Sequence, residues 1–68
     1  MNIKISTPYI ELDSLLKFAN LVSSGGEAKI VIKEGLVCVN GEVCPMRKKK
    51  IYAGDVVSFD NNEIIISE

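Results

Sequence analysis

The chain has 68 residues, of which 47% are hydrophobic and 25% are charged. A chain of this length buries only about 60% of the surface that it exposes when unfolded, which leaves room for one core and one working surface. We therefore predict a single domain over residues 1–68, without a separate substrate or cofactor domain. The composition is that of an ordinary globular protein, neither disordered nor fibrous.

The net charge of −1 conceals an uneven distribution along the chain. Residues 29–50 hold six basic and two acidic residues, a net charge of +4, and the remaining residues carry −5. A local basic patch can attract a phosphate backbone even when the total charge is near zero. Because a lysine-rich loop can also be simply solvated, charge alone leaves both interpretations open.

The first predicted elements are a strand and an amphipathic helix. Apolar residues alternate over residues 1–6, which predicts a strand that ends near Pro8. An apolar stripe with the spacing i, i+3, i+4, i+7 and i+10 then predicts a helix that extends to a turn at residues 23–26. Its members are Leu12, Leu15, Leu16, Ala19 and Val22. Lys17 lies away from the densest part of this stripe, so we expect it to reach solvent.

The second predicted helix is short and has clear start and stop signals. Ser24 and Glu27 form an S-x-x-E capping box, and Gly35 is the residue type expected just past a helix end. Lys29 and Lys33 are four residues apart and therefore share one face. The face that we expect to point inward carries Ala28, Val31 and Ile32.

The rest of the chain reads as two hairpins with a basic connection between them. Asn40-Gly41 is the strongest short signal for a type I′ turn, so residues 36–39 and 42–44 are predicted to pair. Residues 56–59 and 63–66 are predicted to pair around a loop at residues 60–62. The predicted fold class is α+β, with two packed helices followed by a small, mostly antiparallel sheet.

The two cysteines are predicted to be free thiols. With Asn40 and Gly41 as turn residues, Cys38 faces Val43, so Cys38 and Cys44 point to opposite faces of the hairpin. Two cysteines without any histidine cannot complete a zinc site within one chain.

Catalysis is the least favoured function. The chain has no histidine, the commonest general base near neutral pH. Asp13 and Glu27 are two carboxylates that could be taken for a catalytic pair. Both occupy first helical turns, where acidic residues stabilise the helix, so we interpret them as structural. We expect no enzyme activity, no metal and no cofactor.

Two segments are candidates for contact with an anion. Gly25 and Gly26 precede a helix, where backbone N–H groups can face a phosphate, although a tight turn between helices explains them as well. Arg47–Lys50 is the densest run of cations and suits sequence-independent phosphate binding. Stacking of nucleobases on aromatic side chains is expected to be minor, because Phe18 and Phe59 fall in core-like patterns. Recognition of folded RNA by its shape is therefore favoured over binding to single strands.

The order of these motifs resembles the S4 RNA-binding domain. The similarity covers residues 10–60 and depends on L-D-x-x-L-K, S-x-x-E-A-K, I-x-x-G-x-V-x-V-N-G and a later G-D, here Gly54-Asp55. The S-G-G-E-A-K segment and the basic run before Gly54 are similar to small stand-alone bacterial S4 proteins of the YaaA/YbcJ type. The resemblance implies the αL motif and binding to double-stranded or bulged structured RNA, often ribosomal.

The resemblance and the basic clusters together indicate which residues contact RNA. They are Lys17, Ser24, Gly25, Gly26, Lys29, Lys33, Arg47, Lys48, Lys49 and Lys50. Many S4 domains have arginine where this chain has Glu11 and Gly25. Either the affinity for RNA is weaker here, or Arg47–Lys50 takes over part of the electrostatic attraction, and we favour the second interpretation.

Two alternatives to RNA binding remain open. A small protein-interaction adaptor without RNA affinity is the first, and a sulfur-carrier-like β-grasp protein is the second. The terminal Ile66-Ser67-Glu68 lacks the Gly-Gly that such carriers need. Residues 1–6 show no export signal and no apolar run approaches about 20 residues, so we expect a cytoplasmic protein that does not contact membranes. We also expect a monomer.

Overall fold

A computed structural model describes all residues 1–68. Its helices are α1 (Leu12–Phe18) and α2 (Gly25–Lys33), and its strands are β1 (Asn2–Lys4), β2 (Ile10–Glu11), β3 (Val37–Val39), β4 (Glu42–Val43), β5 (Lys50–Ile51), β6 (Val56–Phe59) and β7 (Asn62–Ser67). Five strands form one sheet in the order β1-β7-β6-β3-β4, and β2 pairs with β5 in a second sheet. The predicted α+β class is confirmed.

Helix α1 is shorter than the apolar spacing predicted. It ends at Phe18 because Asn20 adopts a left-handed conformation with φ of 60°. The N–H of Asn20 donates to the carbonyl of Lys17, and the N–H of Leu21 donates to the carbonyl of Leu16, which together form a Schellman motif. Val22 is still buried, but from the loop that follows.

Helix α2 begins and ends as predicted. The Ser24 hydroxyl accepts from the N–H of Glu27 at 3.1 Å, and Gly35 ends the helix with φ of 78°. The capping box is only half correct, since the Glu27 carboxylate accepts from the N–H and hydroxyl of Ser23, at 2.7 and 2.9 Å, instead of the Ser24 N–H. These two hydrogen bonds lower the pKa of Glu27 below its usual 4.5.

Both predicted hairpins are present. Asn40 and Gly41 have φ of 51° and 86°, as a type I′ turn requires, and Cys38 pairs with Val43 as predicted. Both cysteines are free thiols. In the last hairpin the turn is formed by Asp60 and Asn61, while Asn62, predicted as loop, begins β7.

The N-terminal strand takes a position that the sequence did not indicate. β1 pairs in parallel with β7, with Ile3 opposite Ile66, whereas every other strand pair is antiparallel. The prediction of a mostly antiparallel sheet is therefore confirmed, with one exception at its edge.

One cluster of 15 buried residues forms the core between the helices and the sheet. Leu12, Leu15 and Leu16 of α1 are completely buried, and each contributes about 1.5–3 kcal/mol by leaving water. From α2, Ala28 and Ile32 are completely buried, while Val31 is half-buried. Neither helix has the length and apolar character that crossing a bilayer requires.

Candidate RNA-binding surface

The basic loop, residues Arg47–Lys50, is attached to the start of α1 through its backbone. The N–H of Leu12 donates to the Lys49 carbonyl at 2.9 Å, and the N–H of Asp13 donates to the Arg47 carbonyl at 3.0 Å. Helix α1 has no side-chain cap of its own, so these loop carbonyls satisfy N–H groups that otherwise lack partners. The loop is therefore a part of the helix start, fixed in position by α1.

Two carboxylates of the α1 start hold the side chains of the loop. The Lys48 Nζ lies 3.2 Å from Oδ2 of Asp13 and 3.3 Å from Oε1 of Glu11, while Nη1 of Arg47 is 3.9 Å from Asp13. Asp13 and then Glu11 raise the pKa of Lys48 above its usual 10.5. Asp13 is only 7% exposed. Besides its favourable position in the first turn of α1, which the sequence indicated, it also binds the basic loop.

Lys49 and Lys50 form no ion pair within the chain. Both side chains are exposed. The Lys50 Nζ instead lies 5.0 Å from the centroid of the Tyr9 ring, a cation–π arrangement that keeps the ammonium charge. Tyr9 in turn packs against Tyr52, with ring centroids 5.9 Å apart. The basic loop thus divides into a paired half and an unpaired half.

The start of α2 presents backbone donors to solvent. The N–H groups of Gly25 and Gly26 have no partner within the chain, whereas that of Glu27 is used by the Ser24 cap. A Cβ atom added to Gly25 would lie 4.0 Å from Cδ of Lys17, so the Lys17 side chain extends over this helix start. The fold therefore brings Lys17 and the two glycines together, as an anion site requires.

Lys29 and Lys33 are exposed on α2 and form no ion pair. At a rise of about 1.5 Å per residue, Lys29 lies about 6 Å and Lys33 about 12 Å along the axis from Gly25. They extend the positive potential of the helix start along one face. Of the ten residues predicted to contact RNA, Arg47 and Lys48 alone are engaged by carboxylates.

Helix α1 connects the two basic regions. Asp13, which holds the loop, and Lys17, which reaches α2, are four residues apart and therefore lie on the same side of α1, about 6 Å apart along its axis. The basic loop and the α2 start accordingly flank this short helix at opposite ends.

Of the two phenylalanines predicted to lie in the core, Phe59 packs against it and Phe18 does not. Phe18 is 67% exposed, because α1 ends there and its side chain falls outside the buried stripe. Tyr9 and Tyr52 are exposed as a pair beside the basic loop. Sequence reasoning missed this pair because the two residues are 43 positions apart, although both flank short extended segments.

The V-N-G and G-D motifs form a structural network. The Asn40 side chain donates to Oδ1 of Asp55 at 3.1 Å and accepts from the N–H of Val56 at 2.9 Å. The other Asp55 oxygen accepts from the N–H of Tyr52 at 2.8 Å. These motifs join the β3–β4 turn to residues 52–56, so their side chains hold the fold together and have little capacity left for a ligand.

Comparison with known proteins agrees with the architecture and with these motifs. A family model described as S4 domain matches residues 3–67. The chain belongs to the S4 domain family.

Two relatives are small proteins of similar length. The chain is 44% identical over 57 residues to the Escherichia coli (strain K12) protein named "Putative RNA-binding protein YbcJ", covering 84% of this chain and 81% of that one. It is 43% identical over 58 residues to "Probable ribosome maturation protein RlbA" of Bacillus subtilis (strain 168), covering 85% and 82%.

A solved structure has the same fold. The solution structure of Escherichia coli YbcJ, described as revealing an αL motif involved in RNA-binding, superimposes with a TM-score of 0.75 at 37% identity. The alignment covers 98% of this chain and 86% of that one. The resemblance to small bacterial S4 proteins and the expected αL fold are confirmed.

Proposed function

We propose that this chain acts as one S4 domain that binds structured RNA without catalysis. The observation that carries the proposal is the presence of five exposed lysines without an acidic partner on α1, α2 and the basic loop. They are Lys17, Lys29, Lys33, Lys49 and Lys50. Unpaired cations attract the phosphate backbone and release its counterions on contact.

Each predicted residue has a distinct role in this proposal. Lys17 and the N–H groups of Gly25 and Gly26 hold one phosphate at the α2 start, where Ser24 fixes the turn. Lys29 and Lys33 contact further phosphates along the strand. The Glu27 carboxylate lies in the same region, but it already accepts two hydrogen bonds from Ser23.

Within the basic loop, the paired cations position the unpaired ones. Arg47 and Lys48 fix the loop on α1 through Asp13, and this arrangement presents Lys49 and Lys50 to the ligand. Arg47 and Lys48 are partly exposed, so they add long-range attraction while they keep their carboxylate partners.

Ribosomal RNA or a ribosomal particle is the partner that we propose, in the cytoplasm. The support is the name of the Bacillus subtilis relative, a ribosome maturation protein, together with the RNA-binding description of YbcJ. Structured RNA presents its phosphates and 2′-hydroxyls in a shape that a surface with few base-reading groups can recognise.

Binding to RNA stem–loops tests the proposal. The affinity of the whole chain for a ribosomal stem–loop and for an unrelated stem–loop is measured by fluorescence anisotropy at several salt concentrations. We expect the affinity to fall steeply with salt for both. Replacing Lys29, Lys33 and Lys49 with alanine should reduce the logarithmic salt slope by about 2 to 3, or about 0.7–0.9 for each contact.

Lys4 provides a matched control, since it is an exposed lysine on β1, outside the proposed surface. Lys4→Ala should leave the salt slope unchanged. Wild-type protein that binds neither RNA would overturn the proposal and favour the adaptor alternative. An equal loss of slope in Lys4→Ala and in the triple variant would place the contact elsewhere.

A further inference from the structure

The two-stranded sheet formed by β2 and β5 has an apolar inner face and an outer face with aromatic and charged side chains. Ile10 pairs with Ile51, which is completely buried, so these residues point toward the core. Glu11 pairs with Lys50 in the same antiparallel register, which places Tyr9 opposite Tyr52 one step further. Because side chains alternate between faces, the outer face carries Tyr9, Glu11, Lys50 and Tyr52, with Glu11 directly opposite Lys50.

The two tyrosine rings on this face are available to a ligand. Tyr9 is 37% exposed and Tyr52 is 48% exposed, and their rings are tilted by 52° at a centroid distance of 5.9 Å. The Lys50 Nζ lies 5.0 Å from the centroid of the Tyr9 ring. Tyr9 thus contacts both a cation and the second ring, and about half of the Tyr52 side chain remains exposed.

A cleft of about 500 Å³ lies beside Tyr52, between the β3–β4 hairpin and the basic loop. Its walls include the apolar side chains of Pro45 and Met46, and Lys49 and Lys50 line it as well. The carboxylates of Glu42 and Asp55 line it too, so the cleft is apolar at one wall and carries both lysines and acids at its edge. Its volume falls within the range of small-molecule sites, about 300–1,000 Å³.

We propose that this cleft binds one unpaired nucleobase, which stacks on Tyr52 while Lys49 and Lys50 contact the phosphates that flank it. The inference rests on the proposed function and adds to it a specific site, the cleft at Tyr52, for an unpaired nucleotide of the bound RNA. Every base has a π-face, so stacking on tyrosine tolerates any sequence. The lysines supply the charge complement to the phosphates on either side of that base.

Duplex RNA cannot use this site. The bases of a duplex are stacked on their neighbours, and the deep, narrow major groove of A-form RNA does not admit side chains. An extruded base exposes both of its faces. The cleft therefore separates bulged from fully paired RNA, whereas the lysines of α2 contact both kinds alike.

The test compares two RNA hairpins that are identical except for one bulged 2-aminopurine in the stem. We expect wild-type protein to bind the bulged hairpin about 5- to 10-fold more tightly, the low end of what one base–aromatic stack contributes. Stacking should also quench the 2-aminopurine fluorescence. Tyr52→Ala should abolish both the preference and the quenching while it leaves affinity for the paired hairpin unchanged.

Three further variants test whether the preference for the bulged hairpin depends on the Tyr52 ring. Tyr52→Phe retains the ring and should retain the preference, and Phe18→Ala removes an exposed aromatic outside the cleft and should also retain it. Tyr9→Ala removes the ring that contacts Tyr52 and should weaken the preference, which provides a second variant if Tyr52→Ala fails to fold by circular dichroism.

The outcomes separate this inference from the proposed function. Equal affinity of the wild type for the two hairpins, or an undiminished preference in Tyr52→Ala, would overturn the base site and leave phosphate binding intact. Absence of binding to either hairpin would overturn both.

Discussion

The basic loop and the basic face of α2 carry similar residues in different electrostatic states. In the loop, Lys48 and Arg47 contact Asp13, and loop carbonyls accept hydrogen bonds from the start of α1. On α2, Lys29 and Lys33 project from a regular helix and have no acidic partner. The densest run of positive charge in the sequence is thus partly neutralised inside the fold, and the sparser pair is not.

This difference shows that the density of cations along a chain does not measure the charge that is available to a ligand. An ion pair already holds part of the attraction that a phosphate would otherwise gain. The paired cations of the loop serve to fix its geometry, and the unpaired cations on either side of α1 remain for the ligand.

The largest effect is expected from the carboxylate that holds the loop. Asp13→Ala removes a nearly buried partner of Lys48, together with the 2.7 Å hydrogen bond from the Ser14 N–H, and should lower the free energy of unfolding by about 1–3 kcal/mol. Urea unfolding followed by circular dichroism measures the loss.

Glu34→Ala is the matched control for this variant. Glu34 is an exposed acid without an ion pair, so its replacement should change stability by less than about 0.5 kcal/mol. Equal stabilities of the two variants would mean that the loop is not anchored by Asp13.

The second prediction compares how much the basic loop and the basic face of α2 contribute to RNA affinity. Two double variants are compared: an α2 variant with Lys29→Ala and Lys33→Ala, and a loop variant with Arg47→Ala and Lys48→Ala. Both lower the net charge by the same amount, so the long-range attraction for RNA falls equally in both. We expect the α2 variant to lose about tenfold in affinity at low salt and about 1.4–1.8 in salt slope, because its cations are unpaired.

The loop variant should lose less than about 1 in salt slope, measured by anisotropy under conditions in which both variants are folded. A larger slope change in the loop variant would show that Arg47 and Lys48 leave their carboxylates to bind phosphate.

The smallest expected effect is a pH dependence of the stability that the start of α2 contributes. The hydrogen bonds from Ser23 lower the pKa of Glu27 in the folded chain below the usual 4.5. The stability that they contribute is therefore fully present above about pH 4.5 and is lost as the pH falls through the lowered folded pKa.

Urea unfolding between about pH 6 and pH 3 should show this loss in the wild type and a shallower profile in Glu27→Gln. Parallel pH profiles of the two proteins would mean that Glu27 does not stabilise the start of α2.

Local signals in the sequence predicted much of the fold. Ser24 and Gly35 mark the two ends of α2, and the Asn40-Gly41 turn determines the register that separates the cysteines. Each is a short-range effect, because capping and turn geometry depend on a few neighbouring residues. The end of α1 was mispredicted because Asn20, which ends helices less often than glycine, interrupts an apolar spacing that continues to Val22.

The exposure of the candidate residues was predictable from the sequence, but the contacts among them were not. Lys17, Lys29 and Lys33 are exposed as their helical positions indicated. The pairing of Lys48 with Asp13 joins residues 35 positions apart, and no spacing rule within one element connects them.

By itself, the sequence determined the helix caps, the hairpin turns, the motifs of the S4 family and the location of positive charge along the chain. Only the tertiary structure decided which cations are paired, that β1 lies parallel to β7, and that Tyr9 meets Tyr52 beside the basic loop. The reason is physical: caps and turns depend on local backbone geometry, whereas ion pairs and ring contacts depend on how distant segments pack around a common core.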